Sequence, residues 1–428
     1  MDRVIQRGLA DAFFEICRKE GQRTDRYLHW DDFRHRISES GGLSTEEQWA
    51  AVRMGRTLRA LPIPLNDTQG RPFVFSITER AFSLLHEIET QCGGGQPGSI
   101  VREEAERYHF DSLMEEALTS SQLEGAVVTQ SEAREMIRHQ RPPASEHERM
   151  VMNNFRTMRL LTGLKDEALT PELILRIHRE VTAETLGSPS QEGKFRSAAD
   201  DVRVEDDESG EVFHRPPPAE TLDGRIEKLC AFANEMEVKG FLHPVVRAIL
   251  LHFWIAYDHP FVDGNGRTAR ALFYWLMLRN GYWLAEYFSI SQQILQSPKR
   301  YYRAFLHTET DGNDLNYFIL HQLEMVRLSI ESLRESLRTK REEAEALRRS
   351  LGAGGDFNHR QIALLKHALK HPFSAYTVVG HQNSHGTSNQ TAKNDLVTLE
   401  GKSLLVRSKV RKAFVYRPAP DFAELLGL

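Results

Sequence analysis

Residues 244–279, "PVVRAILLHFWIAYDHPFVDGNGRTARALFYWLMLR", contain the two longest apolar stretches of the chain, divided by the short polar segment "DHPFVDGN". Neither "AILLHFWIAY" nor "ALFYWLML" approaches the roughly 20 apolar residues that span a bilayer. The pattern predicts two core helices joined by a loop that delivers its side chains to the N-terminus of the second helix.

That placement gives the loop a chemical meaning. First-turn N–H groups have no partner within their own helix and lie at the positive end of its dipole, so they form an anion site. Gly264 and Gly266 allow positive φ and close approach of the backbone, while Asn265 tolerates the same geometry and adds a side-chain amide. Arg267 and Arg270 lie three apart on the helix, so both guanidinium groups reach one side and can clamp more than one phosphate. Asp263 supplies a hard carboxylate oxygen suited to one inner-sphere bond to Mg2+. His259, with an ordinary pKa of about 6.5, can accept a proton near neutral pH. The set describes metal-assisted attack by a hydroxyl on a nucleotide phosphate. Neither a P-loop nor a dinucleotide fingerprint fits, because no GxxxxGK[ST] occurs and a helix, not a strand, precedes the glycines. "GNG" alone is common as a tight interhelical turn; the joint occurrence is not.

At these residues the chain resembles the Fic-domain family, since "HPFVDGNGRTAR" matches every position of the signature HxFx(D/E)GNGRxxR. The resemblance covers roughly residues 100–320. It implies a helical domain that binds ATP with Mg2+ and transfers AMP to a Ser, Thr or Tyr hydroxyl of a target protein. By that resemblance His259 is the general base, Asp263 holds the metal, and Gly264, Asn265 and Gly266 form the anion nest. Arg267 steadies the phosphates, Arg270 engages the γ-phosphate, and Phe261 anchors the loop in the core. "SSQLEG", residues 120–125, fits the family's inhibitory pattern (S/T)xxxE(G/N) with Ser120, Glu124 and Gly125, and implies that Glu124 pairs with Arg270 and blocks productive γ-phosphate binding. Removal of AMP at the same site is the alternative direction, and residues alone do not separate the two. "VRV" and "EVFH", around the turn-rich "EDDESG", read as a hairpin. In the family it is a flap against which an extended target segment adds as a strand, with Val202, Arg203 and Val204 as edge residues and Phe213 and His214 across from them.

The remainder reads as mainly α. Residues 1–92 form a helical N-terminal module in which Ser44–Glu47 is a capping box and "PFVFS" a short strand. "CGGGQPGS" marks a boundary, residues 93–320 the catalytic domain with its inhibitory helix, and residues 321–355 a connecting helix that turns almost wholly charged. Residues 356–428 read as a winged-helix-like domain, with 387–400 as recognition helix and Lys409, Arg411 and Lys412 in the wing. That tail holds six Lys and four Arg against three Asp and two Glu, a net +5, which leaves −10 on the rest of a chain of net charge −5. Two partners are open for it, DNA or protein, and a nucleotide-sensing DNA-binding regulator is a further alternative function. A homodimer is expected by family analogy alone. The three cysteines lack a CxxC and the histidines lack an HExxH, so neither a disulfide framework nor a helical zinc pair is expected. With no secretion signal and no membrane segment, the expected location is cytoplasmic.

Overall fold

The computed structural model describes residues 2–20, 27–38, 41–92, 99–205, 210, 212–235, 241–350, 357–371, 373–410 and 413–425. Most of the expected boundary "CGGGQPGS", most of the acidic tip "EDDESG", and Arg411 and Lys412 therefore lie outside the described residues. Helices dominate, and the strands among the described residues form three separate antiparallel pairs. No described helix is long and apolar enough to cross a membrane.

The two central helices are Pro244–Asp258 and Asn265–Arg279, and they pack along each other. A helix apolar all round must be covered all round. Val245 to Ile255 are buried at every position, as are Arg267 to Leu278. Pro244 opens the first helix at a position where its missing N–H costs nothing, and His243 accepts the Val245 N–H as its cap. Three further helices cover this pair. Ser99–Gln122 lies along Glu146–Leu164, which in turn packs on Pro171–Thr182 and on the second central helix. Pro171–Thr182 starts with Thr170 capping the Leu173 N–H and proline at its first position. The expected capping box Ser44–Glu47 is formed, and Thr129–Glu132 forms a second.

One buried cluster runs from Ile63 to Leu337, so the side chains of Ile63, Leu65, Phe73 and Phe75 share a core with the central helices. The strand expected at "PFVFS" is Pro72–Phe75, and its partner is Leu61–Asn66. The hairpin is tied into the body where Val74 exchanges backbone bonds with Asn313 (3.0 Å) and Leu315 (2.9 Å). The long helix Asn316–Ser350 keeps burying residues through Leu337.

Arg56 docks the N-terminal helices on this body: buried, it donates to Glu20 (2.9 Å), Tyr317 Oη (2.7 Å) and the Leu28 carbonyl (3.0 Å), with its guanidinium 3.7 Å over the Tyr27 ring. The C-terminal unit comprises helices His359–Lys370, Val378–His385 and Asn389–Gly401 and the hairpin Leu405–Val410/Ala413–Pro418, around a cluster of its own. It touches the body where Asn383 Nδ2 donates to the Arg138 carbonyl at 3.2 Å.

Trp275 shows how much the central pair depends on packing, since it is fully buried and its indole N–H reaches the Leu164 carbonyl at 2.9 Å. Trp275→Ala should cost about 3–5 kcal/mol of folding free energy in urea titration; a loss under about 1 kcal/mol would show that this core is not the load it appears to be.

Candidate active site

The loop begins where the first central helix stops. His259 is the C-cap, in the left-handed region at φ 44° and ψ 57°, a conformation that costs a non-glycine residue about 1–2 kcal/mol. Two contacts hold it there. Its N–H donates to the Ile255 carbonyl (2.9 Å), and ring Nδ1–H donates to the Ala256 carbonyl (3.2 Å). The second bond places the proton on Nδ1 and leaves a lone pair on Nε2. Burial lowers the His259 pKa to about 4, against the pull of the Ala256 carbonyl and with the help of the His214 charge. The ring is neutral at pH 7, as a proton acceptor must be.

Phe261 is fully buried and lies flat on the His178 ring, 3.7 Å between centroids and 6° between planes. Asn265 closes the loop: Oδ1 accepts the Phe261 N–H at 3.0 Å and Nδ2 donates to the Phe261 carbonyl at 2.9 Å. Both ends of the amide are committed, so this side chain shapes the nest and its backbone N–H remains the group that can face a ligand. Gly264 is the N-cap at φ 79°, and a Cβ there would meet Thr182 Cγ2 at 2.5 Å. Only glycine satisfies both the angle and the space. Asp263 leaves its carboxylate half-exposed, with Oδ1 accepting the Gly264 N–H and Oδ2 3.5 Å from Arg267 Nη2. It is placed to reach a cation beside the helix N-terminus.

Both arginines are buried, at 2% exposure each. Arg267 donates from Nη1 to the Val181 carbonyl at 3.3 Å, while its Nε is buried without a hydrogen-bond partner. Arg270 commits three of its five N–H donors: Nε donates to Ser120 Oγ (2.9 Å), and Nη2 to the Ser120 carbonyl (2.9 Å) and Glu124 Oε1 (2.8 Å). Burial opposes the Glu124 charge, but Arg270 and then Arg267 hold its carboxyl below the usual range. The helix Ser99–Gln122 can present it because the chain turns at Gly125, φ 86°, and the Ala126 N–H folds back to the Ser121 carbonyl at 3.0 Å. A Cβ on Gly266 would overlap the Glu124 carboxylate. That carboxylate therefore lies directly over the first turn of the helix Asn265–Arg279, where an anion is expected to bind. An unpartnered Arg267 Nε, a first turn of backbone N–H groups and a second arginine already holding an anionic group together fit a polyphosphate, and Asp263 fits its cation.

Several supporting residues come from segments that the motif does not contain. His178 accepts the Gly193 N–H at Nδ1 (3.0 Å) and donates from Nε2 to the Asp263 carbonyl (2.9 Å); burial lowers its pKa to about 4. Arg196 donates to the His259 carbonyl (2.8 Å) and the Asp258 carbonyl (3.2 Å), while its own N–H reaches Pro260 (2.9 Å). Asp258 is buried between Arg225 (2.7 Å) and the Trp254 indole (2.9 Å). Of the expected flap, Val204–Glu205 pairs with Val212–His214, while Val202 and Arg203 precede the strand. His214 is an anchor: its ring nitrogens donate to Glu309 (2.9 Å) and the Tyr257 carbonyl (2.7 Å). Burial acts against its charge, but Glu309 prevails and raises its pKa.

The site is a helix–loop–helix in which a neutral histidine, two buried arginines and a half-exposed carboxylate gather at a helix N-terminus. Comparison with known proteins places it. The Fic/DOC family model matches residues 168–277. A protein adenylyltransferase Fic from Nematostella vectensis is 37% identical over 120 residues, which is 28% of this chain and 25% of that protein. One from Drosophila melanogaster is 34% identical over 117 residues, 27% of this chain and 21% of that protein. The chain thus spans about a quarter or less of the length of these curated relatives. The crystal structure of a Fic family protein from Desulfovibrio desulfuricans G20 superposes with a TM-score of 0.52 at 20% identity, covering 81% of this chain and 97% of that one, a likeness of fold. Residues 168–277 are thus similar to the Fic/DOC family, and the fold around them is shared with a Fic family protein.

The His259 environment carries a pH signature. An unfolded histidine takes its proton at about pH 6.5, the folded one only near 4. Between those values the unfolded state binds more protons, so this group's contribution to stability is lost as pH falls from about 6.5 toward 4. An NMR titration of the His259 ring should give a midpoint well below 6.5; a midpoint at or above 6.5 would contradict the buried neutral base.

Proposed function

We propose that this chain is a protein adenylyltransferase that transfers the AMP unit of ATP to a Ser, Thr or Tyr hydroxyl of a target protein and is restrained by its own Glu124. The observation that carries the proposal is the Glu124 carboxylate, lying on the first turn of the phosphate-binding helix and bound to Arg270 at 2.8 Å. A carboxylate in that place mimics the group it excludes. The adenylyltransferase relatives, alike in the region that contains the loop, support the reaction class.

In this reading the backbone N–H groups of Asn265 and Gly266 and the Arg267 guanidinium hold the phosphates, joined by the Gly264 N–H once Asp263 turns from it to the cation, and Arg270 takes the γ-phosphate once Glu124 leaves. Asp263 would hold Mg2+, which when bound draws negative charge from the phosphates. His259 Nε2 takes the proton of the target hydroxyl as that oxygen bonds to the α-phosphorus. The bond from this phosphorus to the bridging oxygen breaks, and pyrophosphate leaves. The open edge of Val204–Glu205, with Val202 and Arg203 leading into it, would align an extended target segment, which His214 steadies by pinning the other strand to Tyr257.

The restraint has a size. Breaking one partner of a buried ion pair costs about 3–5 kcal/mol, and about 1.4 kcal/mol is a factor of ten. Glu124→Gly should therefore raise adenylate incorporation from ATP and Mg2+ by about a hundredfold or more, read as intact mass, and His259→Ala placed on that variant should abolish it. Equal labelling of all forms would overturn the mechanism.

A second reading concerns residues 356–428, for which we propose a winged-helix unit that binds DNA. On the helix Asn389–Gly401 the acids are withdrawn from the outer face: Asp395 is buried against Arg360 (2.6 Å) and His381 (3.2 Å), and Glu400 is paired with Arg407 (3.1 Å). Gln390, Lys393 and Asn394 remain exposed. Lys393→Glu together with Lys409→Glu should weaken binding to duplex DNA and flatten its salt dependence; unchanged affinity would remove DNA as the partner.

A further inference from the structure

A second chemical cluster lies where the N-terminal helices meet the body. His29 caps the helix Trp30–Arg36, with its Nδ1 accepting the Asp31 N–H at 3.3 Å. Nδ1 can accept only when it carries no proton, yet the same atom faces Asp31 Oδ2, also at 3.3 Å. A lone pair and a carboxylate oxygen thus face each other at a distance that calls for a positive charge between them. The other ring nitrogen, Nε2, lies 3.4 Å from Thr310 Oγ1 and so keeps the ring proton. Across the junction, the His307 ring of the helix Pro298–Thr310 stacks on His29, 4.0 Å between centroids and 9° between planes. One donor atom from each of His29, Asp31 and His307 lies within 4.8 Å of the others, in a site graded from buried His29 through half-buried His307 to exposed Asp31.

We propose that His29, Asp31 and His307 bind a divalent cation of the Zn2+, Co2+ and Ni2+ class, with water completing the coordination. Two imidazoles and one carboxylate suit these ions better than Mg2+ or Ca2+, which prefer oxygen. The same ligand set with one open position is common for zinc. Nearly parallel rings cannot both contain one ion in their planes, so His307, the less buried ring, turns out of the stack on capture. The consequence reaches the active site by a short route. Two residues beyond His307 on the same helix, Glu309 holds His214 of the flap at 2.9 Å. A cation at this junction therefore braces the helix that positions the hairpin, and it does so apart from any Mg2+ at Asp263.

The full chain, stripped of metal and free of nucleotide, is titrated with Co2+ while visible d–d absorption and melting temperature are followed. Saturable binding of about one equivalent with a raised melting temperature is expected in the wild type. His307→Ala and, separately, the exposed-ligand variant Asp31→Asn should each weaken it at least tenfold, the fold added by a lost metal ligand or its support. Because the chain has 18 histidines, His35→Ala, at an exposed position of the same helix, serves as the control and should bind as the wild type does. Melting of each variant without Co2+ separates lost binding from lost folding. No saturable binding, or binding that survives in both His307→Ala and Asp31→Asn, overturns the proposal.

Discussion

Arg270 is a guanidinium buried to 2% exposure that gives three of its N–H groups to Ser120 and Glu124, and the arrangement of the site follows from that commitment. An unpaired charge at that depth would cost several kcal/mol, so the helix Ser99–Gln122 must lie where Ser120 and Glu124 can meet it. One turn earlier on that helix, Glu116 makes a second rung. It accepts from Tyr274 Oη (2.8 Å), Ser289 Oγ (2.7 Å) and Ser291 Oγ (2.5 Å), and Tyr274 lies one turn beyond Arg270. The helix is held at residues 116 and 120, and Glu124 sits past its last turn, next to Gly125. Freeing Arg270 for a phosphate then asks for movement of one terminal segment, while both rungs below it keep the helix in place.

The His259 ring is positioned by backbone more than by side chains. His259 occupies a left-handed cap that the next residues must accommodate, and Arg196 grips the carbonyls on that bend while pairing its own N–H with Pro260. His178 performs the matching task at the far end of the loop, between Gly193 and Asp263. The loop is therefore clamped at both ends by groups from the segment 178–196, and the stacked Phe261 and the Asn265 amide fill its middle. Breaking the Asn265 pair would leave a buried N–H and carbonyl unsatisfied, at about 1–3 kcal/mol each. Strain at His259 is tolerable only because so many bonds oppose its relaxation.

What could be read from the residues divides along chain distance. His259, Asp263, Gly264, Gly266, Arg267 and Arg270 lie within one contiguous stretch, so a helix boundary alone predicts their convergence. The approach of Glu124 to Arg270, across 146 residues, followed only from resemblance, because nothing local announces a long-range ion pair. His178 looked like one more position on an amphipathic helix, and Arg196 like a loop cation; each acquires its role only when the fold brings it to the loop carbonyls. The strand Leu61–Asn66 escaped notice because Pro62 and Pro64 argue against a strand, yet prolines are tolerated on an edge strand such as this one. Asp395 stands two residues from Lys393 on one helix, and only the fold, by burying it against Arg360 and His381, makes it an internal strut.

The central claim is that Glu124 competes with a terminal phosphate for Arg270. Calorimetric titration of the wild type and of Glu124→Gly with ATP and, separately, with AMP tests it most directly, since only ATP carries the phosphate that Arg270 would take. The account predicts that the variant gains affinity for ATP and leaves the affinity for AMP unchanged. Equal gains for both nucleotides, or no gain for ATP, would contradict it.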